Sequence, residues 1–319
     1  MTAQERLARV ALGRQDGIGG KTIRRLLEEF GSAQAVLADA GSQPRLRRRV
    51  ADAIREAATQ YAGLAEELAV LEASGIGVAA WGDYPRALQA VAEAPGVLYW
   101  QGAPAANADL AALPLQWGDD EWAVAIIGSR CANRSGQVFA QRLAREAVER
   151  GFAVVSGLAV GVDRAAHRGA LSAGGRTLAL PGCGLQQLPA GAPPELVAGI
   201  RESGLVLSPF APDTPVAAPQ LLARNRVVTG LALVVFVVEA SPQGGTLHAA
   251  AGAHAQNRVL YVADWRDDAP RLAGNRHLLA RGARPLPVEG RLPWSSILDA
   301  AELAAAELAI RTAQSTASG

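Results

Sequence analysis

The chain has 319 residues, half of them hydrophobic, and a formal net charge of +1, a length that buries a sizeable core and suits one main domain with a smaller companion. The longest uninterrupted apolar stretch, LALVVFVV at 231–238, is too short to span a bilayer, and the N-terminal MTAQERLARV lacks the apolar core of a secretory signal. Two cysteines, Cys131 and Cys183, supply no disulfide framework, so the expectation is a cytoplasmic protein with no membrane segment.

The charge is unevenly spread. Lys21 is the single lysine among 31 basic residues, and residues 123–264 carry 12 arginines against eight acids, a local charge of +4 against −3 for the remainder. A polyanionic partner would suit that asymmetry.

From the N-terminus, AQERLARVAL, KTIRRLLEEF, SAQAVLAD and LRRRVADAIREAATQYAGL place apolar residues at three- and four-residue spacing, which predicts a small helical domain over residues 1–65. The DGIGGKT between the first two helices ends like a phosphate-binding loop. Gln15 stands where that pattern needs its first glycine, however, and no apolar strand precedes it. Gly17-Ile18-Gly19 reads either as a helix-hairpin-helix turn that approaches a DNA phosphate or as an ordinary helix–helix turn, and the residues leave both open.

From residue 66 the texture is α/β, and a second domain is expected over 66–290. GIGVAAW and GVLYWQG are short strands flanking GDYPRALQAVAEAP, and a polar connection at 107–122 follows. Strands AVAIIG, AVVSG, RTLALPG, LVLSPF, LVVFVVEA and RVLYVAD then alternate with helices, and continuous apolar strands alternating with helices predict a mostly parallel sheet covered on both faces, an extended Rossmann-like doubly wound α/β fold. Residues 291–319 offer one alanine-rich helix and a frayed end.

Ligands of such sheets gather at the carboxyl ends of the strands. Here those ends read Gly128-Ser129-Arg130, Ser156-Gly157 through Gly161, Pro181-Gly182-Cys183-Gly184, and Ser241 through Gly244-Gly245-Thr246. Glycines admit close backbone approach, and the hydroxyls can cap a helix or donate to a phosphate oxygen. Arg130 can fork onto a phosphate, and Arg224 and Arg226, flanking Asn225, can supply a second basic contact. No cofactor is implied: GSRCANRSG lacks the dinucleotide-binding glycine pattern, and no acid follows the second strand at ribose-binding spacing. Asp163 and His167 share a helix face but have no third ligand, so a structural role is expected, with Asp163 complementing the helix dipole. Cys183 reads as a packing residue rather than a nucleophile.

VAIIGSR, VVSGLAVGVDRAAHRGALSAGGRTLALPGCGL, GLVLSPF, ARNRVVTGLA, VVEASPQGGTLHAAAGAHAQNRVLYV and GNRHLLARGA, in this order and spacing, resemble the bacterial DNA processing protein A family, also called Smf. The resemblance extends upstream through GDYPRAL and GIGGKTIRRLLEEFGSAQAVLA, so it covers nearly the whole chain to about 285. It implies a sterile-alpha-motif-like helical module, an extended Rossmann domain, sequence-independent binding of single-stranded DNA, dimerisation through the Rossmann domain and loading of the RecA recombinase during natural transformation. It assigns Gly128, Ser129, Arg130, Ser156, Gly157, Gly244, Gly245 and Thr246 to a phosphate pocket and Arg224 and Arg226 to its basic rim. Backbone contacts in a basic groove would bind strands without reading bases.

Four departures bear on that expectation. Leu221 and Leu222 stand where the family usually has Phe-Pro before Arg-Asn-Arg, and Leu188-Pro189-Ala190 stands where many members have Tyr-Pro and a basic residue. Ala263-Asp264 replaces Pro-Gly after the last predicted strand, and the family's C-terminal winged helix is reduced to one helix. Arg134, Arg164 and Arg168 are the candidates to restore phosphate contacts. The competing functions are a nucleotide-hydrolysing enzyme akin to cytokinin-activating phosphoribohydrolases, which carry a glutamate where His248-Ala249-Ala250 stand here, and a non-catalytic nucleotide sensor.

Overall fold

The computed structural model describes residues 2–39, 45–102, 122–189 and 191–317, with side chains to residue 310. The predicted polar connection falls almost wholly outside the described residues, as do Ala190 and the extreme end of the tail.

Four helices come first: α1 (Ala3–Gly13), α2 (Gly20–Phe30), α3 (Ala33–Asp39) and α4 (Arg48–Ala73). Thr2 caps α1 by accepting from the Glu5 N–H, and the Glu5 carboxylate accepts from the Ala33 and Gln34 N–H groups at the start of α3. One side chain thus ties two helices by satisfying donors that a helix start leaves open. The last helix, expected to close near residue 64, runs on to Ala73, because AEELAVLEA keeps good helix formers with no breaker until Gly75.

The α/β part contains β1 (Gly77–Ala80), α5 (Arg86–Gln89), β2 (Val97–Gln101), β3 (Ala123–Ile127), α6 (Arg134–Val148), β4 (Ala153–Ser156), α7 (Val162–Ser172), β5 (Thr177–Ala179), α8 (Pro194–Ser203) and β6 (Leu205–Ser208). It continues with α9 (Ala218–Gly230), β7 (Val234–Val237), α10 (Gly245–Ala255), β8 (Val259–Asp264), α11 (Ala273–Ala280), β9 (Arg284–Pro287) and α12 (Trp294–Ala317). The nine strands make one sheet in the order β1-β2-β6-β5-β4-β3-β7-β8-β9, antiparallel from β1 to β6 and parallel from β6 to β9. Every residue of β3, β4 and β7 is buried, as the continuous apolar runs require of strands covered on both faces. The chain winds outward from β3 to β6 and then crosses back to lay β7 on the other side of β3. That reversal is the switch point at which doubly wound sheets open a crevice.

Apolar faces of α9, α10 and α5 cover one side of the sheet, and α6, α7 and α12 cover the other. The C-terminal helix is part of this core: Trp294, Ile297, Ala301, Ala304 and Leu308 pack against the sheet, and the Trp294 indole N–H donates to Glu146 at 2.6 Å. β9 pairs with β8 at the sheet edge although it reads Arg-Pro-Leu-Pro, a place where prolines cost no ladder bond.

The helical module docks on the β1–β2 end. The Gly20 and Lys21 N–H groups at the start of α2 donate to the Ala94 and Ala92 carbonyls at 2.8 and 3.3 Å. Beside them Gly13 and Gly96 meet backbone to backbone; a Cβ on either would stand 2.6–2.7 Å from the other's carbonyl carbon. Gly96→Ala is therefore expected to lower stability by about 1–3 kcal/mol, as overpacking of a rigid contact does, read by urea unfolding of the full chain; an unchanged midpoint would mean that the two backbones do not touch.

Candidate functional site

At the switch point the carboxyl ends of β3, β4 and β7 open into a pocket of about 260 Å³. Its walls are the turn after β3 (Gly128, Ser129, Arg130, Cys131), the turn after β4 (Gly157, Ala159, with Asp163 of α7), one face of α9 (Leu221, Arg224, Asn225, Val228) and the turn after β7 (Ser241, Gly244, Gly245, Thr246). Nine residues singled out from sequence therefore share one cavity: Gly128, Ser129, Arg130, Gly157, Arg224, Asn225, Gly244, Gly245 and Thr246.

The floor holds two buried opposite charges, Arg224 and Asp163, that act on each other through space. Arg224 is 5 % exposed and donates from Nη1 to the Leu180 carbonyl at 2.6 Å. Asp163, 7 % exposed, accepts from the Ala159 N–H at 3.3 Å. Both ionic heads lie against Gly157, where a Cβ would stand 2.5 Å from Arg224 Cζ and from Asp163 Oδ2. Burial lifts the Asp163 carboxyl above its ordinary value, and the Arg224 charge with the N–H groups of Ala159 and Gly157 pulls it back down. Burial likewise lowers the Arg224 guanidinium, and Asp163 opposes that loss. The helix-dipole role expected of Asp163 is thus joined by a charge partner that sequence could not place, because 61 residues separate the two.

Above the floor the turns are fixed by backbone. The Ser129 N–H donates to the Glu239 carbonyl at 2.8 Å, and the Ser129 hydroxyl accepts from the Cys131 N–H at 3.1 Å. Leu158 is held at φ 61°, a left-handed conformation that costs a leucine about 1–3 kcal/mol and marks a turn fixed by its surroundings. The α10 N-terminus has Gly244 as its cap and no side-chain cap bond, so its first amides face the pocket with the positive end of the helix dipole. Arg130 is exposed at the rim and, among the described residues, forms no ion pair. Amides, hydroxyls, a rim arginine and a buried arginine make a receptacle for an anion with oxygen acceptors.

The other predicted residues lie elsewhere. Ser156 is fully buried beneath the pocket: its hydroxyl donates to the Ile126 carbonyl at 2.6 Å and also lies against the Asp163 carboxylate, whose charge it favours. Gly161, at φ 90°, lies on the Arg130 carbonyl, where a Cβ would stand 2.8 Å away, so it supports the rim from beneath. The turn after β5 is filled rather than open. Gly182 packs under Leu221, and Gly184 lies on the Pro212 carbonyl carbon with its N–H donating to Thr214. Arg134 is exposed on the first turn of α6, whose cap is Asn133. Arg226, two residues beyond Arg224, lines a different cavity. Arg164 is partly buried and donates to the Leu158 carbonyl, and Arg168 is exposed.

Residues 78–291 match the family model of DNA recombination-mediator protein A, and residues 3–67 match that of the DprA-like N-terminal HHH domain. The chain belongs to the DNA recombination-mediator protein A family. The crystal structure of DNA processing protein A from Streptococcus pneumoniae is similar to it, with a TM-score of 0.70 and 26 % identity over 88 % of this chain and 94 % of that one. DNA processing protein A from Helicobacter pylori, whose structure concerns its single-stranded DNA binding mode, has a TM-score of 0.55 and 30 % identity over 63 % of this chain and 87 % of that one. Protein Smf of Synechocystis is 31 % identical over 210 residues, 66 % of this chain and 51 % of Smf. The chain thus spans about half the length of that curated relative. Among the described residues no helix is long and apolar enough to cross a membrane, and no group of three or more His, Cys, Asp and Glu side chains could hold a metal ion.

His167 lies one turn beyond Asp163, fully buried, with Nδ1 2.7 Å from the Thr177 hydroxyl. Burial and then the Arg224 charge lower its pKa to about 3. An unfolded histidine takes its proton near pH 6.5, so this side chain stabilises the fold fully above that pH and progressively less as pH falls toward 3. Stability against thermal unfolding is expected to fall from pH 6.5 to 5 with a histidine contribution of at most about 1.4 kcal/mol per pH unit, and His167→Gln should flatten that slope. An identical slope in the variant would show that the imidazole is not buried neutral.

Proposed function

We propose that this chain binds single-stranded DNA by its sugar-phosphate backbone in the pocket at the sheet switch point, without reading bases, and delivers the strand to a RecA-type recombinase. It acts as a cytoplasmic, non-enzymatic mediator and as a homodimer through its α/β domain, with no cofactor. The observation that carries the reading is the composition of the pocket: backbone amides, hydroxyls and the Arg130 rim surround Arg224, and no aromatic ring lines it among the described residues. Such a lining recognises what every nucleotide shares. The single-stranded DNA binding mode attributed to the Helicobacter pylori relative supports the same reading. We assign strand binding to residues 66–290, with 1–65 as the helical module and 291–319 as a C-terminal helix. The phosphoribohydrolase alternative is not favoured, since the family match is to recombination mediators.

Arg130→Ala removes an exposed cation that forms no ion pair among the described residues. It should weaken binding of fluorescent oligonucleotides by a similar factor whatever their sequence and reduce the salt slope of log K by about one phosphate contact. Anisotropy titrations across a salt series read both; unchanged affinity and slope would place the strand elsewhere.

A further inference from the structure

The run Arg224-Asn225-Arg226 divides between two cavities. Leu221, Arg224, Asn225 and Val228 present one face of α9 to the sheet-edge pocket, and Ala223, Arg226 and Val227 present the adjoining face to a cleft of about 530 Å³ between the helical module and the sheet. Both sets follow the i, i+3, i+4 spacing of one helix face. The two cavities are therefore separated by the width of a single helix, about 10 Å, and a strand lying over the pocket rim reaches the cleft by crossing α9.

The cleft differs in chemistry from the pocket. Pro209 and half-buried Phe210 after β6 give it an apolar, aromatic wall, backed by the buried side chains of Val97, Tyr99 and Val227. Asp16 and Glu93, both exposed, stand on its rim, and Arg14 there is already forked onto Glu67 at 2.6 and 2.9 Å. The glycine hairpin that lines it offers no phosphate cradle through the start of α2, because the Gly20 and Lys21 amides are bonded to the Ala94 and Ala92 carbonyls. Carboxylates and spent amides repel a phosphate from the interior, whereas an aromatic wall with polar edges suits a heterocycle. The unpaired cation is at the mouth: Arg226 is exposed and, among the described residues, makes no ion pair. The volume lies in the range of small-molecule sites.

We propose that this cleft is a base-binding subsite for the same strand, with Arg226 holding a phosphate at the mouth and a nucleobase entering against Phe210. The proposal rests on the reading of the sheet-edge pocket as the strand site. It accounts for an aromatic contact in a chain whose α9 carries Leu221 and Leu222 instead of a ring.

The test uses the full chain with two oligothymidines, a dinucleotide too short to span α9 and so confined to the pocket, and one of about twelve nucleotides that reaches the cleft. Phe210→Leu, which keeps an apolar packing group, and exposed Arg226→Ala should each weaken the longer oligonucleotide by about tenfold and leave the shorter one unchanged. Photocrosslinking of 5-iododeoxyuridine placed along the longer strand should label peptides containing Phe210. Equal affinities of both variants and wild type for the longer strand, with crosslinks confined to the turns at 128–131 and 241–246, would overturn the subsite and leave the pocket standing. Failure of the wild-type protein to bind either length would overturn the pocket reading itself.

Discussion

The rest of the structure depends on one buried electrostatic arrangement, the opposite charges of Asp163 and Arg224 laid against Gly157. An arginine taken out of water needs an opposite charge nearby, and removing that charge costs several kcal/mol. Here the carboxylate comes from α7, the acceptor carbonyl of Leu180 follows β5, and the guanidinium comes from α9 on the opposite face of the sheet. The pair thus pins helices from both layers to the ends of adjoining strands. It also fixes the depth of the cavity, since any side chain at 157 would occupy the place of the guanidinium. His167, neutral because the same Arg224 charge adds to its burial, belongs to this cluster as a packing group.

Around that floor the topology does the remaining work. Winding outward from β3 and then back to β7 makes consecutive turns diverge at one place, so the turns after β3 and β7 have room to face the same space with the turn after β4 between them. The glycines in these turns are of two kinds. Gly245 leaves room for a ligand; others, such as Gly161 and Gly184, are filled by neighbouring carbonyls and hold the turns in place. Sequence shows both kinds with the same letter.

That distinction sets how much of the molecule was legible beforehand. The strands of the parallel sheet were, because AVAII, AVVS and VVFV are apolar without interruption and only burial on both faces demands that. The pocket was legible in outline through Gly128-Ser129-Arg130 and Gly244-Gly245-Thr246, which end such strands. What escaped were matters of tertiary contact. Arg224 was expected on a basic rim and lies at the floor, because only the fold brings Asp163 to it. Pro181–Gly184 looked like a further anion-binding turn, but Leu221 fills it. Gly17-Ile18-Gly19 left two readings open, and the amides that follow it are consumed by residues 92–94 of the α/β part. β9 was missed because Arg-Pro-Leu-Pro reads as a loop until an edge strand beside it is known, and α12 looked like an appendage until Trp294 and Ile297 were seen in the core.

The claim that buried opposite charges over a missing side chain shape the pocket proposed for the strand is tested most directly at Gly157. Gly157→Ala places a methyl where the Arg224 guanidinium lies, and the effect is read by measuring oligothymidine affinity and cooperative unfolding on the same preparation. The account predicts that both fall together, with the pocket lost as the arginine is expelled. Wild-type affinity and an unchanged unfolding transition in that variant would contradict it.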